Sequence, residues 1–144
     1  MVTHDREIIS FTAVANAGIS GSDVRDILLE AIEQLFGGIE IPNPIELLSD
    51  NGSPYRATAT KQFVSQLGMT SSFTPVASPE SNGVAEAFVK TLKRDYVFVK
   101  PIQDAHTALR LIKSWIEDHN EYHPHSGLKM KSPRQYIRAL SSNA

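Results

Sequence analysis

Ser78-Pro-Glu-Ser-Asn82-Gly-Val-Ala-Glu86-Ala-Phe-Val-Lys90-Thr-Leu-Lys93-Arg94-Asp-Tyr96 is the stretch on which the chain's reading turns, taken with the earlier Ser49-Asp50-Asn51-Gly52. From Gly83 onward, Val84, Phe88, Leu92 and Tyr96 recur every fourth residue and draw one apolar stripe along a helix, while Glu86, Lys90 and Lys93 fall on another. The first stripe is for packing and the second is left for chemistry. Upstream, Ile45, Leu47 and Leu48 form a short apolar run ending at Asp50 and an Asn-Gly turn, so the Asp50 carboxylate is predicted where a buried strand leaves its sheet. A strand-end Asp50 and a first-turn Glu86 can then face each other.

Working outward, Arg6 to Val14 is rich enough in β-branched and aromatic residues to predict an edge or near-edge strand. Ser20-Gly-Ser22-Asp23 offers helix caps, and the helix that follows carries Val24, Ile27, Leu28, Ala31, Ile32 and Leu35 at helical spacing before Gly37-Gly38 stops it. Pro42 and Pro44 lead rigidly into the Ile45–Leu48 strand. Thr58 to Leu67 reads as a helix, Met69 to Val76 as a short strand, and residues 77–83 as a polar loop leading into the Glu86 helix. Ala105 to Tyr122 is a long helix with Ala108, Leu111, Ile112, Trp115 and Ile116 on its packing face, closed by Pro124. Ser132-Pro133 caps a short terminal helix. Alternating strand and helix implies an α/β layer architecture.

A chain of 144 residues with 41% hydrophobic content suits one domain with one core, read over residues 1–144. There is no cysteine, which rules out a disulfide framework or thiolate metal site and suits a reducing cytoplasm. Neither a long apolar run nor an export signal marks the chain for a membrane. The net charge of −2 hides an asymmetry: residues 1–50 carry two Lys/Arg against nine Asp/Glu, and residues 51–144 carry twelve against seven. The basic excess therefore accompanies the Glu86 helix, where it suits a phosphate backbone.

Thirty-five residues separate Asp50 from Glu86. A strand-end Asp, that interval and then a helix Glu form the second half of the DDE motif, and the chain resembles the catalytic core of bacterial insertion-sequence transposases of the retroviral-integrase type. Lys90 and Lys93 match the basic positions that follow the Glu in that family. His119-Asn-Glu-Tyr-His-Pro-His-Ser-Gly-Leu128 and Lys131-Ser-Pro-Arg-Gln-Tyr136 resemble its C-terminal signature. The resemblance implies a ribonuclease H-like fold, here a partial integrase core lacking its first one or two strands. It also implies Asp50 and Glu86 as catalytic residues and ligands of Mg²⁺ or Mn²⁺, and DNA as partner, both element ends and target. Lys90, Lys93, Arg94 and Asn82 are the expected DNA contacts, and a homo-oligomer is expected. In such chemistry a water or a DNA 3′-hydroxyl attacks the phosphodiester directly. Asp5 is not the family's first Asp, because Arg6-Glu7-Ile8-Ile9 match a segment beyond the first catalytic strand.

Each residue also has an ordinary explanation when taken alone. Asp50 is a turn former before Asn-Gly, Glu86 favours a helix N-terminus, and Lys90, Lys93 and Arg94 suit a solvated helix face. The spacing joins them. His119, His123 and His125 suggest zinc, but the Glu of a metalloprotease helix is replaced by Asn120 and Pro124 interrupts the helix, so hydrogen bonding, packing or DNA contact is the expected role. With no first Asp in view, the alternative to an enzyme is a nucleic-acid-binding fragment of a transposase without catalysis. The same deficit predicts apolar strand edges, at Arg6–Val14 and Ile45–Leu48, that pair with a second copy.

Overall fold

Two short strands, β1 (Ile45–Ser49) and β2 (Met69–Phe73), run parallel with Ile45 opposite Met69 and Ser49 opposite Phe73. A parallel pair needs a crossover connection. It is supplied by α2 (Ser53–Arg56) and α3 (Thr58–Gln66). Ahead of β1 stands α1 (Gly21–Phe36), and after β2 come α4 (Gly83–Leu92), a π-helical turn (Lys93–Val97), α5 (Ala105–Tyr122), a 3₁₀ turn (Ser126–Leu128) and α6 (Pro133–Ser142). The computed structural model describes residues 1–15, 18–74 and 83–143. These fall into two units, Ser10–Glu86 on one hand and Met1–Ile9 with Ala87–Ala144 on the other. Among them, no helix is long and apolar enough to cross a membrane.

In the first unit, Ile32 of α1, Val64 of α3 and Met69 of β2 are buried together, with Leu28, Ile41, Ile45, Leu47 and Leu67 packed around them. Each such aliphatic side chain contributes about 1.5–3 kcal/mol when fully buried. Along β1 the pattern alternates: Ile45 and Leu47 turn toward this core while Glu46 and Leu48 are exposed. The sheet is thus covered on one face, and β1 is half-buried where the apolar run predicted a fully buried strand. The capping residues of α1 act as predicted. Ser20 accepts from the Asp23 N–H at 3.1 Å, and the Asp23 carboxylate accepts from the Ser20 N–H at 2.8 Å, which is a capping box. Gly37 ends the helix at φ 73°, a left-handed conformation that glycine adopts without a Cβ clash.

The predicted strand at Arg6–Val14 does not form. Strand propensity stabilises little without a neighbour to complete the backbone ladder, and among the described residues β1 and β2 pair only with each other. Ile8 finds another partner. Its N–H donates to Asn120 Oδ1 at 2.8 Å and its C=O accepts from Asn120 Nδ2 at 2.9 Å, so one side-chain amide stands in for a strand. Beyond it, Phe11 to Val14 is exposed.

That amide belongs to the second unit, whose frame is α5 packed on α6. Ser132 caps α6, forms a capping box with Gln135 and donates its hydroxyl to the Glu121 carbonyl at 2.7 Å. Arg134, on the first turn of α6, donates to Glu7 at 3.2 Å and to Glu117 and Glu121 of α5. Arg138 adds a second bond to Glu121. These fixed polar contacts add to the packing of the unit's buried Ile8, Ile116 and Leu128.

Because both backbone groups of Ile8 are buried with Asn120, Asn120→Ala should destabilise the chain by roughly 2–3 kcal/mol, the cost of leaving a donor and an acceptor unpaired. Urea denaturation is the measurement, and a change under about 0.5 kcal/mol would show that the amide is not what holds the amino-terminal segment.

Candidate metal and nucleic-acid site

Asp50 follows the last residue of β1, at the carboxyl end of a parallel strand pair, where open α/β sheets leave a crevice for ligands. The strand end is fixed from several sides. The Thr74 N–H donates to the Ser49 carbonyl at 2.8 Å, Asn51 Nδ2 donates to the Thr74 carbonyl at 2.5 Å, and Arg56 Nη1 donates to Asn51 Oδ1 at 2.8 Å. Asp50 itself is exposed and accepts from the Gly52 N–H at 2.8 Å through Oδ1, which orients the carboxylate while keeping it open to solvent. Tyr55 lies close by, and burial followed by the Asp50 charge raises its phenol above the ordinary value. Of these supporting residues, the sequence singled out Asn51 and Gly52 as a turn and gave no sign of Tyr55, Arg56 or Thr74.

Glu86 is exposed in the first turn of α4 and belongs to the same unit as Asp50. Val84, Phe88, Leu92 and Tyr96 are half-buried, whereas Glu86, Lys90 and Lys93 are exposed, so the two stripes read from the sequence are present. Lys90 and Lys93 make no ion pair among the described residues. Arg94 differs: its guanidinium is engaged by Asp95 in a bidentate pair, with Nε to Oδ1 at 2.5 Å and Nη2 to Oδ2 at 2.7 Å. Asn82 lies outside the described residues, with the rest of its loop up to Gly83.

Exposed carboxylates such as those of Asp50 and Glu86 are hard oxygen donors of the kind that Mg²⁺ or Mn²⁺ takes, and these ions need few protein ligands when water and phosphate complete the shell. Neither belongs to a trio. Among the described residues, the one group of three His, Asp or Glu side chains close enough to share an ion is His119, His123 and His125, with ligand atoms within 4.8 Å of one another. The two acids nearest the amino terminus are engaged elsewhere, Asp5 accepting from the Glu7 N–H at 3.0 Å and Glu7 pairing with the distant Arg134. Burial, then the neighbouring His125 and His123, lowers the His119 pKa to about 4, so its imidazole is neutral.

Residues 67–133 match the family described as Integrase core domain. The chain is 66% identical over 137 residues to an insertion element IS136 protein of Agrobacterium fabrum, a match covering 95% of this chain and 70% of that protein. It is 46% identical over 139 residues to the transposase InsD of insertion element IS2 in Escherichia coli, covering 96% of this chain and 46% of that protein. Among solved structures, it superposes on a chain of the simian T-cell lymphotropic virus intasome in complex with PP2A regulatory subunit B56 gamma with a TM-score of 0.62. There the identity is 21%, over 84% of this chain and 41% of that one. The catalytic core domain of BIV integrase gives 0.54 at 20% identity, over 86% and 75%. These likenesses define the fold as the ribonuclease H-like α/β fold of an integrase core. The relatives are nearer, and by them the chain belongs to the integrase-core family of insertion-element transposases. It spans less than half the length of the complete InsD transposase.

A Cβ at Gly52 would stand 2.8 Å from Asp50 Oδ1, while the Gly52 φ of −58° suits any residue. Gly52→Ala should therefore push the Asp50 carboxylate off its backbone donor with little change in folding. The expected result is a melting temperature within about 2 °C of wild type together with weaker Mn²⁺ binding by calorimetry. Unchanged Mn²⁺ affinity would show that the turn does not position Asp50.

Proposed function

We propose that this chain is part of the catalytic core of a DNA strand transferase, with Asp50 and Glu86 as its metal ligands and Lys90 and Lys93 as phosphate contacts. What carries the reading is Asp50: exposed at the carboxyl end of a parallel strand, oriented by the Gly52 N–H, and thirty-five residues before an exposed first-turn Glu86. The transposase name of the InsD relative supports DNA as the substrate. Bound Mg²⁺ or Mn²⁺ supplies activation of the attacking oxygen and stabilisation of the leaving oxygen in an in-line phosphoryl displacement. Asp50 and Glu86 hold and orient that charge. Lys90, one turn beyond Glu86, and Lys93 are exposed cations that bind the DNA backbone without reading bases. Arg94 contributes less directly, because Asp95 already neutralises it. No protein nucleophile is needed, since water or a DNA 3′-hydroxyl attacks the phosphorus.

The second reading, a DNA-binding module without catalysis, is favoured by one observation: among the described residues, neither Asp50 nor Glu86 falls in a group of three His, Asp or Glu side chains close enough to share an ion. Both readings place DNA on the basic stripe, but only the first requires metal at the carboxylates. One Mn²⁺ should bind weakly to the wild-type chain and be lost in Asp50→Asn. Changing Lys90 and Lys93 together to Ala should lower the slope of log affinity for DNA against log salt by roughly 2. Equal Mn²⁺ binding by wild type and Asp50→Asn would leave the module reading; an unchanged salt slope would remove the phosphate contacts.

The family's action on element ends and target fits an assembly of more than one copy, and one structural neighbour is a chain of a viral intasome. The outer edge of β1 and the exposed Leu48 are the surfaces we assign to such pairing. Light scattering at micromolar concentration should read a dimer or larger species, and a monodisperse monomer would count against the assignment.

A further inference from the structure

The histidines of the carboxyl-terminal signature form a cluster that neither the carboxylate site nor the core accounts for. His119 lies on α5 and His123 caps its end, one turn apart on the same face; His125 follows Pro124. His125 is held by its backbone, its N–H donating to the Lys131 carbonyl at 3.1 Å and its carbonyl accepting from the Met130 N–H at 2.9 Å. Lys129 and Met130, at φ 55° and 62°, turn the chain back through two successive left-handed residues to close that bridge. The ring centroids stand 5.0 Å apart for His119 and His123, 4.9 Å for His119 and His125, and 5.4 Å for His123 and His125. Three imidazoles on one tetrahedral ion also have centroids roughly 5 Å apart, given metal–nitrogen bonds of about 2.0–2.1 Å.

The nitrogens are the stronger observation. Among the described residues, both ring nitrogens of His119, Nδ1 of His123 and Nε2 of His125 are buried without a hydrogen-bond partner. Buried polar atoms are normally paired, and one ligand nitrogen from each ring lies within 4.8 Å of the others, so the three rings call for a common partner. A partner shared by three imidazoles is one that accepts their lone pairs, and the Phe88 ring packed edge-on against His119 cannot serve as one. Asp95 holds the bidentate pair with Arg94 on one side and meets His123 on the other, Oδ2 lying 2.9 Å from Nε2. That contact engages Nε2 and leaves Nδ1 as the ring nitrogen of His123 available to the cluster. A carboxylate behind a histidine is the arrangement that orients metal-bound imidazoles.

We infer that His119, His123 and His125 form a site for a borderline transition-metal ion of the Zn²⁺ class, with Asp95 as its positioning residue. Three imidazole nitrogens are a poor set for Mg²⁺, which prefers oxygen, so this site is chemically separate from Asp50 and Glu86. The ligand atoms, within 4.8 Å of one another, close to tetrahedral spacing by rotation about the soft χ2 torsions of the rings. Arg6 Nη1 is likewise buried without a hydrogen-bond partner among the described residues, and an anionic fourth ligand such as hydroxide or chloride would suit it. An ion there would tie the end of α5 to the loop that leads into α6.

The test uses the untagged chain freed of metal with a chelator. Co²⁺ should give the visible absorption of a tetrahedral site at one ion per chain, displaced by Zn²⁺ and not by Mg²⁺. Zn²⁺ at about a hundred times its dissociation constant should raise the melting temperature by roughly 5–10 °C. His125→Gln should weaken Zn²⁺ at least tenfold, and Asp95→Asn by roughly 10-fold or more with unchanged circular dichroism. Asp50→Asn should leave Zn²⁺ binding as it is. Absence of both the Co²⁺ band and the Zn²⁺ stabilisation in wild type, which no folding defect could explain, would overturn the inference. So would Zn²⁺ affinity that survives His125→Gln or is lost in Asp50→Asn.

Discussion

The parallel pairing of β1 with β2 is the constraint on which the candidate carboxylate site depends. Five residue pairs are a short ladder, and parallel pairing is slightly weaker per residue than antiparallel, so its end needs reinforcement. The reinforcement comes from the loops. Thr74 continues the ladder by one bond, Asn51 closes it through its side chain, and Arg56 holds Asn51. Asp50 therefore emerges from a point clamped on three sides while its own side chain makes one short contact, to Gly52. A metal ligand benefits from this combination, because preorganisation lowers the cost of gathering like charges around an ion. The core behind it, Ile32, Val64 and Met69, serves the site by keeping both strands in register.

The carboxyl-terminal unit is held together differently. Its signature residues are mostly polar, and the structure gives several of them jobs in packing that a sequence reading oriented to catalysis passes over. Asn120 replaces a strand for Ile8, Ser132 joins the α6 cap to α5, and Arg134 collects Glu7, Glu117 and Glu121. The last arrangement raises the Arg134 pKa, first through Glu117, and keeps a partly buried cation satisfied on every side. Exposed ion pairs contribute little, but a guanidinium that fixes three carboxylates from two segments gains from geometry as well as charge.

Periodicity made the helices legible, because an amphipathic face 10–18 residues long repeats often enough to be unmistakable: α1, α5 and α6 lie where Ser20, Asp104 and Ser132 cap them. Arg6–Val14 misled for the opposite reason. A strand is defined by its neighbour, and nothing within a nine-residue window reveals that Ile8 will bond to Asn120, 112 positions away. The carboxylate site was half legible. The Asp50–Glu86 interval is a one-dimensional fact, whereas the Gly52 contact and the Asn51–Thr74 clamp depend on the fold. The histidines are the sharpest case: Pro124 counted against a metal when a single helix was the only geometry in view, yet it is the break after His123 that lets His125 turn back toward His119.

The π-helical turn after α4 shows why that cluster needs a particular backbone. At Lys93–Val97 the Phe98 N–H reaches back five residues to the Lys93 carbonyl, so the helix is locally underwound. Such turns cost stability and persist where they place side chains that a regular helix would misdirect. Here the residues inside the turn are the ones that engage α5: Tyr96 donates its hydroxyl to Asp118 at 2.6 Å with its ring beside Trp115, and Asp95 reaches His123. Arg94, expected on DNA, is drawn to Asp95 in the same turn and helps to keep that carboxylate ionised. The segment that presents Glu86, Lys90 and Lys93 to solvent thus changes character within one turn, from an exposed charged face to one that bonds an imidazole. If an ion occupies the histidines, the π turn is the element through which its binding stiffens the end of the Glu86 helix, because Asp95 is covalently part of that helix and hydrogen-bonded to a ligand of the ion.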